Sequence, residues 1–369
     1  MRSRRRRILV VAACVLALAA GAGAYALSHD EPCGAPQPQH GAMLMKAVVH
    51  RCYGGAEVLE IAQLERPRPR ENEVLVKVRA VSINPADWHE MTGTPYFIRV
   101  PNGIGAPPYT RFGRDYAGVV VAQGAGVTRF AVGDEVFGTR AGALAEYLTA
   151  DVSRAIVRKP ANVTFEQAAA IPVAALTALQ GLRDHGHVAP GDRVLINGAS
   201  GGVGTFAIQI AKALGAEVTA VCSTRNVELV RSLGADRVVD YTKQSFLDLA
   251  ERYDVVLDNV GNYSPLAVRR VLEPDGTLVV ISGPKTDPWI GPIVRFAQVA
   301  LYAPFVSQEL TSFIASVNRA DLELLAGMVA AGKITPAIDR EYPLQDVAAA
   351  VDYLGAGHAR AKVVVALPD

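Results

Sequence analysis

The sequence is poor in cysteine and tryptophan and carries no surplus of charge. Its four cysteines (Cys14, Cys33, Cys52 and Cys222) are too few and too scattered for a disulfide framework. Lys and Arg total 37 against 36 Asp and Glu, a net charge of +1. That balance argues against nucleic acid as the main partner, because phosphate binding draws on a basic surplus. Five of the positive charges (Arg2, Arg4, Arg5, Arg6 and Arg7) crowd the first seven residues, so the remainder is slightly acidic. There are no internal repeats. With 50% hydrophobic and 20% charged residues the chain is globular rather than disordered. At roughly 150 residues per domain, 369 residues suggest two domains.

The amino terminus stands apart. Ile8 to Leu27 carry no charge, and a helix of that length rises about 30 Å, enough to cross a bilayer. Two readings compete: an uncleaved membrane anchor through residues 8–27, or a signal peptide cut near Ala24-Tyr25-Ala26. Arg6-Arg7 also matches, weakly, a twin-arginine export signal. In either case the chain would be membrane-anchored or exported. Translation from Met43 or Met45 would instead leave it cytoplasmic. Ser28 to Ala42 holds three prolines and two glycines and reads as a flexible tether.

The folded region starts near Met45. Glu73 to Val81 alternates, with Val74, Val76 and Val78 on one face, which predicts a strand. Gly113 to Ala122, Glu135 to Thr139 and Ala145 to Leu148 continue as short strands, so this part reads as all-β and barrel-like. Thr164 and Gln167 have the spacing of a capping box and open an Ala-rich helical stretch to Leu182. Strands then alternate with helices. Strands are predicted at Arg193–Asn197, Glu217–Cys222, Arg237–Asp240, Asp254–Asn259 and Thr277–Ser282. Helices are predicted at Val203–Leu214, Asn226–Leu233, Gln244–Ala250 and Pro265–Leu272. This α/β alternation predicts a doubly wound parallel sheet, with its ligand at the carboxyl ends of the strands.

Val194 to Gly204 is the most informative segment. An apolar strand runs into Gly198-Ala199-Ser200-Gly201-Gly202-Val203-Gly204, and a helix follows. Glycines let the backbone approach a pyrophosphate, and the helix-start N–H groups of Ser200, Gly201, Gly202, Val203 and Gly204 would bind its charge. Alanine stands where the dinucleotide fingerprint has its first glycine. The same letters allow a rival, since Gly198-x-Ser200-x-Gly202 matches the nucleophile elbow of a serine hydrolase, with Asp258 or Asp339 and then His358 as partners. That rival leaves Gly204 unexplained. The second strand ends in Ser223-Thr224-Arg225, without the carboxylate that an NAD site uses for its ribose. Ser223 and Arg225 suit a 2′-phosphate, which implies NADPH. The alternative is a Ser223 that caps the next helix and a solvated Arg225.

These residues resemble the medium-chain dehydrogenase/reductase superfamily, and within it the zinc-free, quinone oxidoreductase-like branch. The resemblance is carried by Met45-Lys46-Ala47-Val48-Val49, Tyr53-Gly54-Gly55, Asn84-Pro85-Ala86-Asp87 and Gly113-Arg114-Asp115-Tyr116-Ala117-Gly118. It continues through Val132 to Phe137, Pro190 to Ile196, Gly198 to Lys212, Leu233-Gly234-Ala235-Asp236 and Asp240-Tyr241. It implies a GroES-like β-rich domain made from both chain ends, a Rossmann domain, an active cleft between them and a homodimer. The domain plan is then residues 45–165 GroES-like, 166–305 Rossmann and NADP-binding, and 306–369 the last Rossmann strand with the return to the first domain. Residues 1–27 and 28–44 precede it as signal or anchor and linker. The resemblance also implies that Ser223 and Tyr241 lie near the 2′-phosphate. Where zinc-dependent relatives place their ligands, this chain reads Ser82-Ile83-Asn84, Gly113-Arg114-Asp115 and Pro172-Val173-Ala174, so no metal site is expected. His50 with Cys52, and His185 with His187, read as structural or solvated.

Without zinc nothing lowers the pKa of an alcohol, so reduction of an electrophilic acceptor is the easier chemistry. The expected reaction is hydride transfer from NADPH to a quinone or an α,β-unsaturated carbonyl. Asn84 is expected to orient the substrate carbonyl or the nicotinamide, Thr177 to lie beside the nicotinamide, and Tyr53 to compete with solvent as proton donor. Each also has a structural reading: a turn before Pro85, a back-bonded helix threonine and a core tyrosine. Trp289 to Phe305, apolar but for Arg295, is expected to line the pocket or form a dimer contact, and it suggests a bulky apolar substrate. A protein of another class remains open: a membrane-tethered sensor or scaffold that binds NADPH without turnover.

Overall fold

The computed structural model describes residues 18–35, 43–108, 110–284, 287–357 and 359–368. Two sheets dominate. Near the amino end, β1 (Leu44–Val49) and β2 (Glu60–Glu65) pair as an antiparallel ribbon. The first large sheet is built on β3 (Glu73–Ile83), β4 (Asp115–Gln123), β5 (Glu135–Thr139), β6 (Tyr147–Asp151) and β7 (Ile156–Arg158). Its alternating strand is the predicted one, lengthened by two residues, and Val74, Val76 and Val78 are fully buried.

The second sheet is parallel and six-stranded. It comprises β8 (Arg193–Asn197), β9 (Glu217–Cys222), β10 (Arg237–Asp240), β11 (Tyr253–Asp258), β12 (Leu272–Val280) and β13 (Glu309–Ser312). The spatial order is β10-β9-β8-β11-β12-β13. The order reverses between β8 and β11, and such a switch point opens a crevice at the strand ends. Helix Gly202–Ala213 covers the sheet, burying Phe206, Ile208 and Ile210. Three of the predicted strands, at 193–197, 217–222 and 237–240, have the expected bounds.

The chain end then returns to the first sheet. β14 (Ile338–Pro343) and β15 (Lys362–Ala366) pair in parallel, and β15 lies antiparallel against β3. This seats the carboxyl end beside the strand that leads to Asn84.

Several expectations need correction. Gln244–Ala250 holds only a short 3-10 turn at Phe246–Asp248. The Ala-rich stretch to Leu182 is broken at Ala170-Ile171, ahead of Pro172, into helices Phe165–Ala169 and Pro172–Gln180. Cys33 and Cys52, read as unpaired, form a disulfide that holds part of the expected flexible linker against the folded region. The stretch 8–27 falls mostly outside the described residues. Residues 18–28 are helical, and among the described residues no helix is long and apolar enough to cross a membrane.

Candidate functional site

The turn after β8 is shaped by glycine geometry. Gly198 adopts φ +77°, the left-handed conformation that favours glycine. A Cβ on Gly204 would lie 2.3 Å from the Gly198 carbonyl oxygen and 2.6 Å from the Ala199 carbonyl carbon. Only glycine lets the helix sit this close to the turn. Ala199, at the departure from the fingerprint, is fully buried, so its methyl group points away from the opening. Gly201 is the N-cap of helix Gly202–Ala213, and no side chain caps the helix there. The N–H groups around Gly202 and Val203 therefore remain for an anion. The chain end buttresses the turn: Ala361 N–H donates to the Ser200 carbonyl at 2.7 Å, and a Cβ on Gly202 would lie 3.0 Å from Lys362 Cδ.

At the end of β9, the Ser223 side chain makes no cap hydrogen bond to the turn that follows. Ser223 thus stands at the cap position without the side-chain bond that the capping alternative calls for. Asn226, which sequence reasoning missed, joins the two serines: its Nδ2 donates to Ser200 Oγ at 2.9 Å and to Ser223 Oγ at 3.2 Å. Its Oδ1 is buried without a protein partner. Arg225 is exposed and lies within electrostatic range of Tyr353. Tyr241 is 60% exposed, just past the end of β10. A carboxylate does occur nearby, at Asp240, but it accepts from the Thr224 and Thr242 hydroxyls and pairs with Lys243. Those partners hold its pKa down at about 2.

The hydrolase constellation is not assembled among the described residues. Ser200 Oγ is bonded to Asn226, Asp258 accepts from Asn197, Val260 and Gly261, and Asp339 accepts from Tyr353 and Arg360. His358 lies outside the described residues.

A buried polar cluster closes the other end. Lys362 Nζ donates to Asn84 Oδ1 at 2.5 Å, and Asn84 Nδ2 donates to Asp115 Oδ2 at 2.9 Å. Val173 N–H, at the start of helix Pro172–Gln180, donates to the same Asp115 oxygen at 3.0 Å. Asp87 accepts the Asn84 N–H at 2.8 Å and faces Arg114 at 3.8 Å. Lys362, Asn84, Asp87 and Asp115 are all at most 3% exposed. Burial pushes the Asp87 carboxyl up to about 7, against the pull of the Asn84 N–H and Arg114. Burial also raises the Asp115 carboxyl and lowers the Lys362 ammonium, and their mutual attraction opposes both shifts. Asp115 Oδ1, Asp87 Oδ1 and Ser82 Oγ are buried without hydrogen-bond partners.

Both ends of the Asn84 amide are thus taken by protein. Thr177 Oγ donates to the Val173 carbonyl at 2.7 Å, which leaves it only acceptor capacity. Tyr53 sits elsewhere. Its hydroxyl donates to the carbonyls of Asn102 and Gly103 (2.8 and 2.7 Å), and burial raises its pKa. Lys362 was missed because its partner lies 278 positions away. The one sequence signal was a lysine opening an otherwise apolar strand.

A cavity of about 240 Å³ opens beside this region, lined by Trp88, His89, Thr94 and Pro95 on one side and by Pro288 and Pro292 on the other. The segment from Trp289 divides: its start borders the cavity, while Leu301 and Phe305 at the end of helix Ile293–Tyr302 and just beyond it are exposed. Among the described residues no group of three His, Cys, Asp or Glu is arranged to hold a metal ion.

A glycine turn at a sheet's switch point, buttressed by Ala361 and Lys362 from the end of a second, β-rich sheet, is the architecture of a dinucleotide-dependent oxidoreductase. Family models agree: residues 70–161 match the alcohol dehydrogenase GroES-like domain and residues 233–365 match the zinc-binding dehydrogenase model. The chain is 34% identical over 336 residues to the 2-methylene-furan-3-one reductase of Solanum lycopersicum, covering 87% of this chain and 79% of that one. It is equally similar, with the same coverage, to the chloroplastic NADPH-dependent alkenal/one oxidoreductase of Arabidopsis thaliana. The quinone oxidoreductase from Coxiella burnetii superposes with a TM-score of 0.77 at 30% identity, covering 88% of this chain and all of that one. The chain belongs to the medium-chain dehydrogenase/reductase family, in its quinone oxidoreductase-like branch.

Proposed function

We propose that this chain is an NADPH-dependent oxidoreductase that delivers hydride, without zinc, to a quinone or to the β-carbon of an α,β-unsaturated carbonyl. The observation that carries the reading is the uncapped helix start at Gly201, next to the serine pair joined by Asn226. A dinucleotide fits these residues. Of the amides from Ser200 to Gly204, that of Gly201 is given to the Gly198 carbonyl and the others would hold the diphosphate, while Ser223, Arg225 and Tyr241 would hold the 2′-phosphate. The Asn226 Nδ2 that joins Ser200 and Ser223 would tie the two parts of this site together. NADPH, when bound, supplies the hydride.

The protein's own part is positioning and electrostatics. Lys362 and Asp115 fix the Asn84 amide, and Thr177 keeps acceptor capacity one turn along the helix whose Val173 N–H meets Asp115. No Cys or His occurs in Ser82-Ile83-Asn84, Gly113-Arg114-Asp115 or Pro172-Val173-Ala174, the stretches that match the ligand regions of zinc-dependent relatives, which supports an acceptor that is electrophilic already. An enone gains hydride at its β-carbon and a proton at its α-carbon, a quinone gains a hydride and a proton in becoming a hydroquinone, and solvent is assigned as the proton source because the Tyr53 hydroxyl is committed to two carbonyls. A homodimer belongs to the same proposal. β13 is an edge strand, with exposed Ile314 two residues beyond it.

The test is NADPH and NADH oxidation measured across a panel of quinones and enones. Acceptor-dependent oxidation with NADPH preferred is expected, and Ser223→Ala should narrow that preference. Tight NADPH binding with no turnover on any acceptor would favour the sensor reading. Labelling of Ser200 by a serine-directed phosphonate would overturn the proposal in favour of a hydrolase.

A further inference from the structure

The described residues ahead of β1 form an arm that is fastened to the substrate side of the cleft. The disulfide Cys33–Cys52 fixes it one residue from Tyr53. Glu31 N–H donates to the Gly105 carbonyl at 3.0 Å. The Leu27 and His29 carbonyls accept from Arg99 Nη1 at 3.0 and 3.4 Å, and Asp30 pairs with the same nitrogen at 2.8 Å. Arg99 is only 1% exposed, so the arm supplies both the acceptors and the counter-charge for a buried guanidinium.

The other faces of that guanidinium shape the cavity wall. Arg99 Nε donates to the Gly93 carbonyl at 2.8 Å, and Nη2 lies 3.4 Å from the Thr92 carbonyl. These carbonyls immediately precede Thr94 and Pro95, which line the cavity. The guanidinium also lies over the rings of Tyr53 and Tyr96, at 4.4 and 4.7 Å. Tyr96 meets Trp289 edge-on at 4.9 Å, and its N–H donates to the Pro288 carbonyl at 2.6 Å. A continuous stack therefore runs from the arm through Arg99 and Tyr96 to the Rossmann side of the cavity.

We propose that residues 27–33, clamped by Cys33–Cys52, are a specificity-determining part of the acceptor site, and that Arg99 is the positioning residue through which the arm holds the Thr92–Tyr96 wall. Arg99 itself touches no reacting atom in this scheme. Clamped, the arm keeps the cavity narrow and selects acceptors by shape. Released, it leaves Arg99 without its counter-charge, and the wall loosens. The inference rests on the proposed reading of this cleft as the place where the acceptor binds.

The experiment uses the full chain with Cys33→Ser and, separately, Asp30→Ala, two changes in an arm outside both sheets. Peptide mapping of the non-reduced protein first establishes the Cys33–Cys52 link. For a well-fitting acceptor, Cys33→Ser is expected to raise KM about fivefold while kcat and the NADPH Kd stay unchanged, the pattern of lost uniform binding. Discrimination between bulky and small acceptors should shrink with it. Asp30→Ala should act in the same direction with a smaller effect. A second readout does not depend on turnover. The chain's two tryptophans, Trp88 and Trp289, are at the cavity and in the stack, so their emission should shift in both variants. Unchanged KM ratios and unchanged emission, with the disulfide demonstrated in the parent protein, would overturn the proposal. If no acceptor is reduced at all, the proposed function fails, while the emission shift still decides whether the arm holds the wall.

Discussion

At the glycine turn the free groups are main-chain N–H groups of adjacent residues, around Gly202 and Val203 at the uncapped start of helix Gly202–Ala213. Directly against it, the Lys362–Asn84–Asp115 cluster is made of side chains from three distant segments, each buried and two of them ionisable. The turn is constrained in backbone shape, since Gly198 holds a left-handed φ and Gly204 has no room for a Cβ. The cluster tolerates no change of hydrogen-bonding capacity, because a buried charge left without its partner costs more than the pair contributes. In the proposed function one region grips a ligand by shape, and the other orients groups by electrostatics. Their substitutions should therefore move different measured quantities.

Lys362→Met should have the largest effect. Methionine keeps the stem that packs over Gly202 but removes the donor to Asn84, leaving Asp115 buried without its cation. Stability should fall by about 3–5 kcal/mol in urea unfolding. Turnover should fall by about a hundredfold, the cost of small misplacement at a reacting centre. NADPH affinity should move far less.

Gly204→Ala should do the reverse. Its methyl group would meet the Gly198 and Ala199 backbone, costing about 1–3 kcal/mol of overpacking strain. The NADPH Kd, read by fluorescence titration, should rise by about tenfold, while kcat at saturation holds. If both variants changed the same parameter, the division between the two regions would collapse.

The smallest effect expected is on pH dependence. Asp87 has its pKa raised to about 7 by burial, so the folded state favours the protonated form. Its contribution to stability is full below the unfolded value near 4 and is lost as pH rises toward 7. Unfolding of wild type and Asp87→Asn at pH 5 and pH 8 reads this directly. The wild type should lose stability between the two pH values, and the variant should lose less. An unchanged difference would mean that Asp87 is already ionised in the folded protein.

The sequence made the parallel sheet legible because each βα unit is local. Arg193–Asn197, Glu217–Cys222 and Arg237–Asp240 carry apolar runs bounded by glycine or turn residues, and the structure keeps those bounds. The glycine turn was legible for the same reason, since its geometry depends on neighbours within seven residues. Gln244–Ala250 was misread because helical composition without a helical packing face yields only a turn. Asn226 was hidden inside a predicted helix, where its contacts with Ser200 and Ser223 leave no mark in the sequence.

Local pattern thus determined the two sheet types and the glycine turn, because each follows from residues adjacent along the chain. Tertiary structure alone decided that Lys362 reaches Asn84, that Asn226 joins two serines and that Cys33 pairs with Cys52 to seat the arm on Arg99. Those contacts exist only once the chain end and the arm have folded back onto the core. The free energy that makes them comes from burying partners that no sequence window contains together.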